Sequence, residues 1–326
     1  MDHDNRTPFD KLYPNAILDA VESIGFHCSG SLLALNSYEN RVYQIGIEEA
    51  PPLIAKFYRP HRWDLAAILE EHQFSLELVE HELPIIAPLI INNQTLHHHN
   101  DFKFALFPRR GGHPLELDNS EQLEWMGRFI GRIHRISACK PFEHRIQLNT
   151  QSYGQDPYEY LIDHHFIPDY LKSNFCKTVE LALQKIKHIF EVVGHVDQIR
   201  LHGDCHAGNV LWSDSGPHIV DLDDCLMGPA IQDIWMLLSG ETTQMDVQLE
   251  KILQGYCEFH DFNFRERHLI EVFRTLRMIH YSGWLAKRWA DPAFPLNFPW
   301  FNTPVYWQNH LMNLNEQIAL LDQIEC

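Results

Sequence analysis

The chain has 326 residues, enough for two lobes that each bury a core, and its 45% hydrophobic and 21% charged content is that of a globular protein rather than a disordered one. A formal charge of −18 argues against a protein that coats nucleic acid, because phosphate contacts need clustered Lys and Arg. Seven scattered cysteines without a CxxC pair, a start without a basic and apolar leader, and no run of about 18 apolar residues give the expectation of free thiols, a cytoplasmic location and no membrane partner.

In chain order, "SLLALNS" (31–37), "NRVYQIGI" (40–47) and "PLIAKFY" (52–58) predict strands, being short apolar or alternating runs between polar breaks. Residues 63–81, "WDLAAILEEHQFSLELVEH", predict a helix whose inward face holds Leu65, Leu69, Leu76 and Val79, with Ile68 and Leu78 beside it. "PIIAPLII" (84–91), the turn "NNQT" and "FKFALFP" (102–108) return to strands, with His97, His98 and His99 in or beside a hairpin. The sharp break "RRGGHP" (109–114) predicts a linker. Beyond it the chain is mainly helical: a helix capped at Ser120, then helical spacing over 157–193 and 265–324. The expected organisation is a strand-rich lobe over 1–108, a linker over 109–114 and a helical lobe over 115–326. With no coiled-coil heptads, the default expectation is a monomer.

The helical lobe is interrupted by "LHGDCHAGNV" (201–210), then "VLW", "SDSG" and "HIV". His202, Asp204 and His206 alternate, as zinc ligands on a strand could, but no further His/Cys cluster follows at the usual spacing. The other counting is more informative. Asn209 lies five residues after Asp204, and Asp221 twelve after Asn209, across a turn flanked by two apolar runs. A hairpin there brings Asn209 near Asp221, with Asp204 on the loop before it. Two oxygen ligands facing one point suit Mg²⁺, and a nearby carboxylate can accept a hydroxyl proton.

"HGDCHAGN" followed by "VDLDD" resembles the catalytic and metal-binding segments of the aminoglycoside phosphotransferase and choline kinase superfamily, whose kinase relatives space H-R-D-x-x-x-x-N in the same way. Together with "LNSYENRVYQ", "LEEHQF" and "GPAIQDIWMLL", in this order over nearly the whole chain, the segments are most similar to that superfamily's bacterial stress-response branch of Ser/Thr protein kinases. The resemblance implies an α+β, bilobal, protein-kinase-like fold, ATP as co-substrate, Mg²⁺ as cofactor, and transfer of the γ-phosphoryl to Ser/Thr hydroxyls of protein partners, the chain itself included. It assigns Asp204 as catalytic base, Asn209 and Asp221 as Mg²⁺ ligands, with Asp221 also counted as catalytic, His202 as a brace of the loop, and Asp233 as the carboxylate holding the loop backbone. Asp223 and Asp224 form an additional acidic pair.

In the first lobe, period-two alternation puts Ile54, Lys56 and Tyr58 on one strand face, where Lys56 could reach ATP phosphates if a carboxylate held it. Glu71 shares the inward stripe of the helix with Ile68 and Leu78, and Glu70 is the neighbouring alternative. The loop "ALNSYENRVY" takes the position of the phosphate-covering loop but has no GxGxxG, so Asn36 and Ser37 would supply donors; the resemblance ties Ser37 to ATP. "FALFP" (104–108) would be the linker that pairs with adenine through backbone near Leu106.

Other features have plainer readings. Cys205 and Cys225 flank the site, where inert buried thiols are commoner than a redox switch. The aromatics of residues 300–310 are core or lobe packing before they are a cleft wall. Three functions stay in play: a protein kinase; a homoserine-, choline- or aminoglycoside-type kinase with the same catalytic residues; and an ATP-binding regulator without turnover.

Overall fold

The computed structural model describes residues 8–214 and 216–324. Residues 1–7, on which the expectation about a leader rests, Ser215 of the expected turn "SDSG" and Cys326 lie outside the described residues.

The first lobe is an antiparallel five-stranded sheet in the order β1-β2-β3-β5-β4, with β1 Cys28–Ala34, β2 Arg41–Ile47, β3 Ala50–Phe57, β4 His97–His99 and β5 Phe102–Pro108. Each of its faces carries a helix. On the outer face lies α1, Pro14–Glu22, which the sequence expectations omitted. Pro14 opens it at the position where a missing N–H does no harm, and Ala16, Ile17, Ala20 and Val21 bury one stripe against Ile45, Ala55, Phe57, Phe104 and Leu106. Burial of Ile17 and Val21 stabilises this docking by roughly 1.5–3 kcal/mol each. On the inner face, Tyr58 and Ala105 meet Ile68 of α2, Leu65–Glu80, so the two faces of β5 serve different cores, Phe104 and Leu106 on one side and Ala105 on the other.

The orientation of α2 differs from the expected one. Leu65, Leu69 and Val79 are exposed and Leu76 is half-buried, while Ala67, Ile68, Glu71, His72, Phe74, Ser75 and Leu78 face inward. The helix lies between the sheet and the second lobe, and its buried polar groups find partners there. His72 bonds the Tyr58 hydroxyl at 2.7 Å and Thr95 Oγ1 at 2.8 Å, and Glu71 meets Lys56 and Arg145. Those partners set the rotation; the most regular apolar stripe is left to solvent. Residues 84–91 also depart from expectation. Pro84 and Pro88 remove two donors, and the stretch runs extended with isolated bridges at Ile85 and Ile91 instead of forming a strand. It stitches the lobes together, because Ile86 N donates to Ile219 O and Ile219 N to Pro84 O.

After Pro108 the chain crosses to the helical lobe and pairs at once, β6 (His113–Pro114) with β8 (Val210–Ser213). This lobe is built from α3 (Ser120–Ser137), α4 (Asp156–Asp163), α5 (Asp169–Val193), α6 (Ile231–Trp235), α7 (Thr242–Tyr256), α8 (Ile270–Arg288), α9 (Ala293–Asn297) and α10 (Pro304–Leu321). The cap of α3 is Asn119, whose side chain accepts from Glu121 N and Gln122 N, so Ser120 is its first helical residue rather than its cap. Helices α3 and α7 touch backbone to backbone: a Cβ on Gly127 would lie 2.0 Å from Ile252 O. One continuous core runs from Phe74 of α2 to Leu321 of α10. Strands β7 (Ile199–Leu201) and β10 (Leu226–Gly228) pair with each other, and β8 pairs with β9 (Gly216–Ile219). These short ladders frame the polar loops. The result is the bilobal α+β architecture expected from the sequence.

Candidate active site

The loop after β7 is held from below. Asp233 of α6 accepts from His202 N and Gly203 N, both at 2.8 Å, and its Oδ2 also lies 3.2 Å from His134 Nε2. His134 is itself bonded to the Tyr256 hydroxyl at 3.0 Å. Gly203 has φ +85°, and a Cβ there would lie 2.2 Å from Asp224 O, so the turn admits only glycine. His202 has both ring nitrogens engaged: Asp204 N donates to Nδ1, and Nε2 bonds Val220 O at 2.9 Å. This ring stitches the loop to the strand leading to Asp221. It leaves His202 no lone pair for a metal, and among the described residues no group of three or more His, Cys, Asp or Glu is placed to hold one. The zinc arrangement is therefore not formed.

Asn209 ends the loop. Its amide nitrogen donates to Asp204 O at 2.9 Å, so the side-chain carbonyl oxygen is the atom that could ligate a metal, and its backbone O accepts from Val220 N at 3.0 Å. The β8–β9 hairpin thus sets Asn209 beside the residue that precedes Asp221, with Val210 opposite Ile219. Asp221 stands in the left-handed region, φ 62°, with its side chain 55% exposed. A carboxylate oxygen and an amide oxygen at one edge of a solvent-open cleft are hard donors that fit Mg²⁺ carrying its own waters and phosphate oxygens. Asp204 has each of its oxygens near a side-chain nitrogen, Oδ1 2.9 Å from Arg277 Nη2 and Oδ2 3.4 Å from His206 Nε2. Burial alone would raise its pKa, but the His206 hydrogen bond and the Arg277 charge outweigh burial and hold it well below the usual carboxylate range.

Lys56 is the hub of the first lobe's contribution. It is 5% exposed and lies 2.9 Å from Asp221, 3.2 Å from Asp223 and 3.4 Å from Glu71. Burial would lower its pKa, yet the three carboxylates push it well above the ordinary lysine value, so it stays charged. Glu71 is the helix partner; Glu70 instead accepts from Glu143 N and His144 N at the surface. Burial raises the Glu71 carboxyl against the pull of Lys56. Arg145, which the sequence did not signal, bonds Glu71 Oε2 at 3.1 Å and Asp223 O at 2.8 Å, and so ties α2 to the "VDLDD" turn.

Asp223 is buried and points into the first lobe. It takes Lys56, Asn40 Nδ2 at 3.0 Å and Arg62, while Arg62 also pairs with Asp224. Burial would raise its pKa, but Arg62, Lys56 and Arg145 hold the Asp223 carboxyl far down. The loop between β1 and β2 is anchored by Asn40 and by Glu39, which meets Arg59, Arg288 and the Trp284 indole N–H. Of the residues expected to cover phosphate, Ser37 joins this network only through the backbone of Asn40. Ser37 Oγ donates to Asn40 O at 3.1 Å, folding the loop on itself, and Asn36 is exposed.

Leu106 is a correction. It lies inside β5 opposite Ala55, its side chain is fully buried in the outer core, and its carbonyl already accepts from Leu89 N at 2.7 Å. The backbone that leaves the sheet toward the second lobe follows Pro108. Cys205 and Cys225 are buried, and burial raises both thiols above their ordinary value, which opposes a reactive thiolate. Of the aromatics at 300–310, Trp307 is core and Trp300 is 45% exposed near Tyr281.

A two-lobed fold that gathers Lys56, Glu71, the Asp204 loop, Asn209 and Asp221 where its lobes meet is that of a phosphotransferase of the kinase-like class. The chain belongs to the phosphotransferase enzyme family, whose model matches residues 31–270. It is 45% identical to stress response kinase A of Escherichia coli (strain K12) over 97% of this chain and 95% of that one, and 43% identical to the serine/threonine protein kinase RdoA of Salmonella typhimurium over 98% and 97%. In fold it is similar to the amicoumacin kinase hAmiN, solved with AMP-PNP, Ca²⁺ and Ami (TM-score 0.72, 18% identity, 95% and 94% covered).

Proposed function

We propose that this kinase transfers the γ-phosphoryl of ATP to Ser/Thr hydroxyls of proteins, itself included, as part of a bacterial stress response. The observation that carries the chemistry is the convergence of Lys56, Asp221 and the Asp204 loop on one cleft between the lobes. Lys56, fixed by Glu71, orients the ATP phosphates. Asn209 and Asp221 would hold Mg²⁺, which when bound supplies positive charge against the transferring phosphoryl group. Asp204 orients the acceptor hydroxyl and takes its proton, and Asp233 keeps the loop from drifting. Most of the acceleration comes from such positioning and charge stabilisation. A protein acceptor is supported by the name of the Salmonella relative. A small-molecule acceptor is the second reading, supported by the likeness to amicoumacin kinase.

Among the described residues no helix is long and apolar enough to cross a membrane. With that, we propose that the protein works as a cytoplasmic monomer with no nucleic-acid partner. The test is γ-³²P transfer from Mg-ATP to the chain and to a generic Ser/Thr protein, wild type beside Asp204→Ala. Asp204-dependent label on protein is expected. Label that appears only in a metabolite extract would move the assignment to a small acceptor.

A further inference from the structure

Arg277 is the residue that none of the roles above uses. It sits on α8 with Nη2 2.9 Å from Asp204 Oδ1, its side chain 39% exposed. A guanidinium offers five donors in a planar fork. Here one nitrogen serves the base, and Nη1 is turned toward the weak acceptor Met236 Sδ at 3.8 Å. Two other cleft cations are placed differently. Arg62 is 10% exposed against Asp223 and Asp224, and Arg288 is 15% exposed against Glu39. Their charge is answered inside the protein. Arg277 combines an exposed fork with a carboxylate partner that the chemistry also needs.

We propose that Arg277 is an acceptor-positioning residue that selects hydroxyls flanked by an anion, in the first instance a Ser or Thr next to Asp or Glu. The inference rests on the phosphoryl-transfer function proposed for Asp204. The guanidinium holds one Asp204 oxygen through Nη2, while its Nη1 faces the thioether of Met236. A carboxylate beside the acceptor hydroxyl draws the unused N–H groups, loosens the tie to Asp204 and sets the hydroxyl next to the base in the same event. An ammonium there would be repelled. Tyr281, one helical turn further on, is 38% exposed and stacks on Trp284 at 5.6 Å, giving an extended peptide a flat surface beside the fork.

The test compares kcat/KM on otherwise identical peptides whose single Ser is flanked by Asp, Asn or Lys, and on a hydroxy acid against an amino alcohol of similar size. The wild type should prefer the acidic peptide over the neutral one by about tenfold, the size of one charge-assisted hydrogen bond. Arg277→Gln should bring that ratio close to one, and Arg277→Lys should keep most of it. The ratio is taken within each variant, so a general loss of rate does not affect it. A wild type indifferent to flanking charge, or a preference that survives Arg277→Gln, overturns the inference while the protein-kinase function stands. If peptides are not substrates but the hydroxy acid is preferred and the preference needs Arg277, the protein acceptor falls and the inference stands. If neither class accepts phosphate, both fall.

Discussion

Lys56 and Asp221, 165 positions apart, meet at 2.9 Å across the cleft. The contact joins the inner face of the small sheet to the end of the β8–β9 hairpin, and Glu71 and Asp223 complete the carboxylate shell around the ammonium. Removing the cation leaves buried carboxylates uncompensated. Lys56→Met should abolish transfer and destabilise the fold by roughly 3–5 kcal/mol. Parallel ATP-turnover and urea-unfolding measurements check this, and a variant as stable as wild type would show that the carboxylates do not need Lys56.

The two adjacent glutamates of α2 should separate cleanly. Glu71 lies between Lys56 and Arg145, whereas Glu70 bonds surface backbone amides. Glu71→Ala should lower kcat by about 10²-fold or more through lost phosphate positioning. Glu70→Ala should change it within about threefold, the range of a surface change of about 0.5 kcal/mol. Steady-state kinetics with Mg-ATP decides, and equal losses would mean that the pairing seen here does not govern turnover.

What could be read from the sequence follows the distance over which each relationship acts. Asp204, Asn209 and Asp221 are linked by a loop and one hairpin, so spacing alone brings them together, and Lys56 follows from strand alternation. Arg62, Arg145 and Arg277 reach their carboxylates over 161, 74 and 73 positions with no periodicity to announce them. The rotation of α2 departs from its apolar stripe for the same reason: it is set by the partners of Glu71 and His72. Leu106 lies within the ladder rather than in a linker because an apolar strand does not reveal where its backbone stops pairing, and α1 has no clear sequence signal because Pro14 reads as a breaker unless it is placed at a helix start.

Asp233 acts through the loop rather than on substrate. Both of its oxygens accept backbone N–H groups, so Asp233→Asn must set an amide NH₂ against one of them. A cost of about 1–3 kcal/mol is expected. The measurement is kcat against KM for ATP: kcat should fall while KM stays near wild type, because the nucleotide contacts of the first lobe are untouched. A rise in KM alone would contradict a loop-holding role.

Peroxide should not inactivate the enzyme through its site thiols. Cys205 and Cys225 are buried with raised pKa values, whereas Cys139 is exposed. Iodoacetamide mapping of the native protein should find Cys139 modified well before either site cysteine, with activity retained. Early modification of Cys205 accompanied by loss of transfer would reverse this.

The stability of the loop support should depend on pH through Glu266. This carboxyl is 3% exposed and accepts from Ile231 N at 3.0 Å, capping the short helix that carries Asp233. Burial pushes its pKa up to about 7, against the lowering effect of the backbone N–H groups. A folded-state value above the unfolded one means that the proton is bound more tightly in the native protein. The resulting stabilisation is complete below pH about 4.5 and is lost as pH rises through about 7, amounting to at most about 3 kcal/mol. Glu266→Gln keeps an acceptor for Ile231 N and removes the titration. Urea midpoints between pH 5 and 8 should therefore fall for the wild type relative to Glu266→Gln, with the two curves converging toward low pH. Because α6 positions Asp233, kcat of the wild type should fall over the same interval relative to the variant. Parallel stability curves for the two proteins would place the titrating group elsewhere.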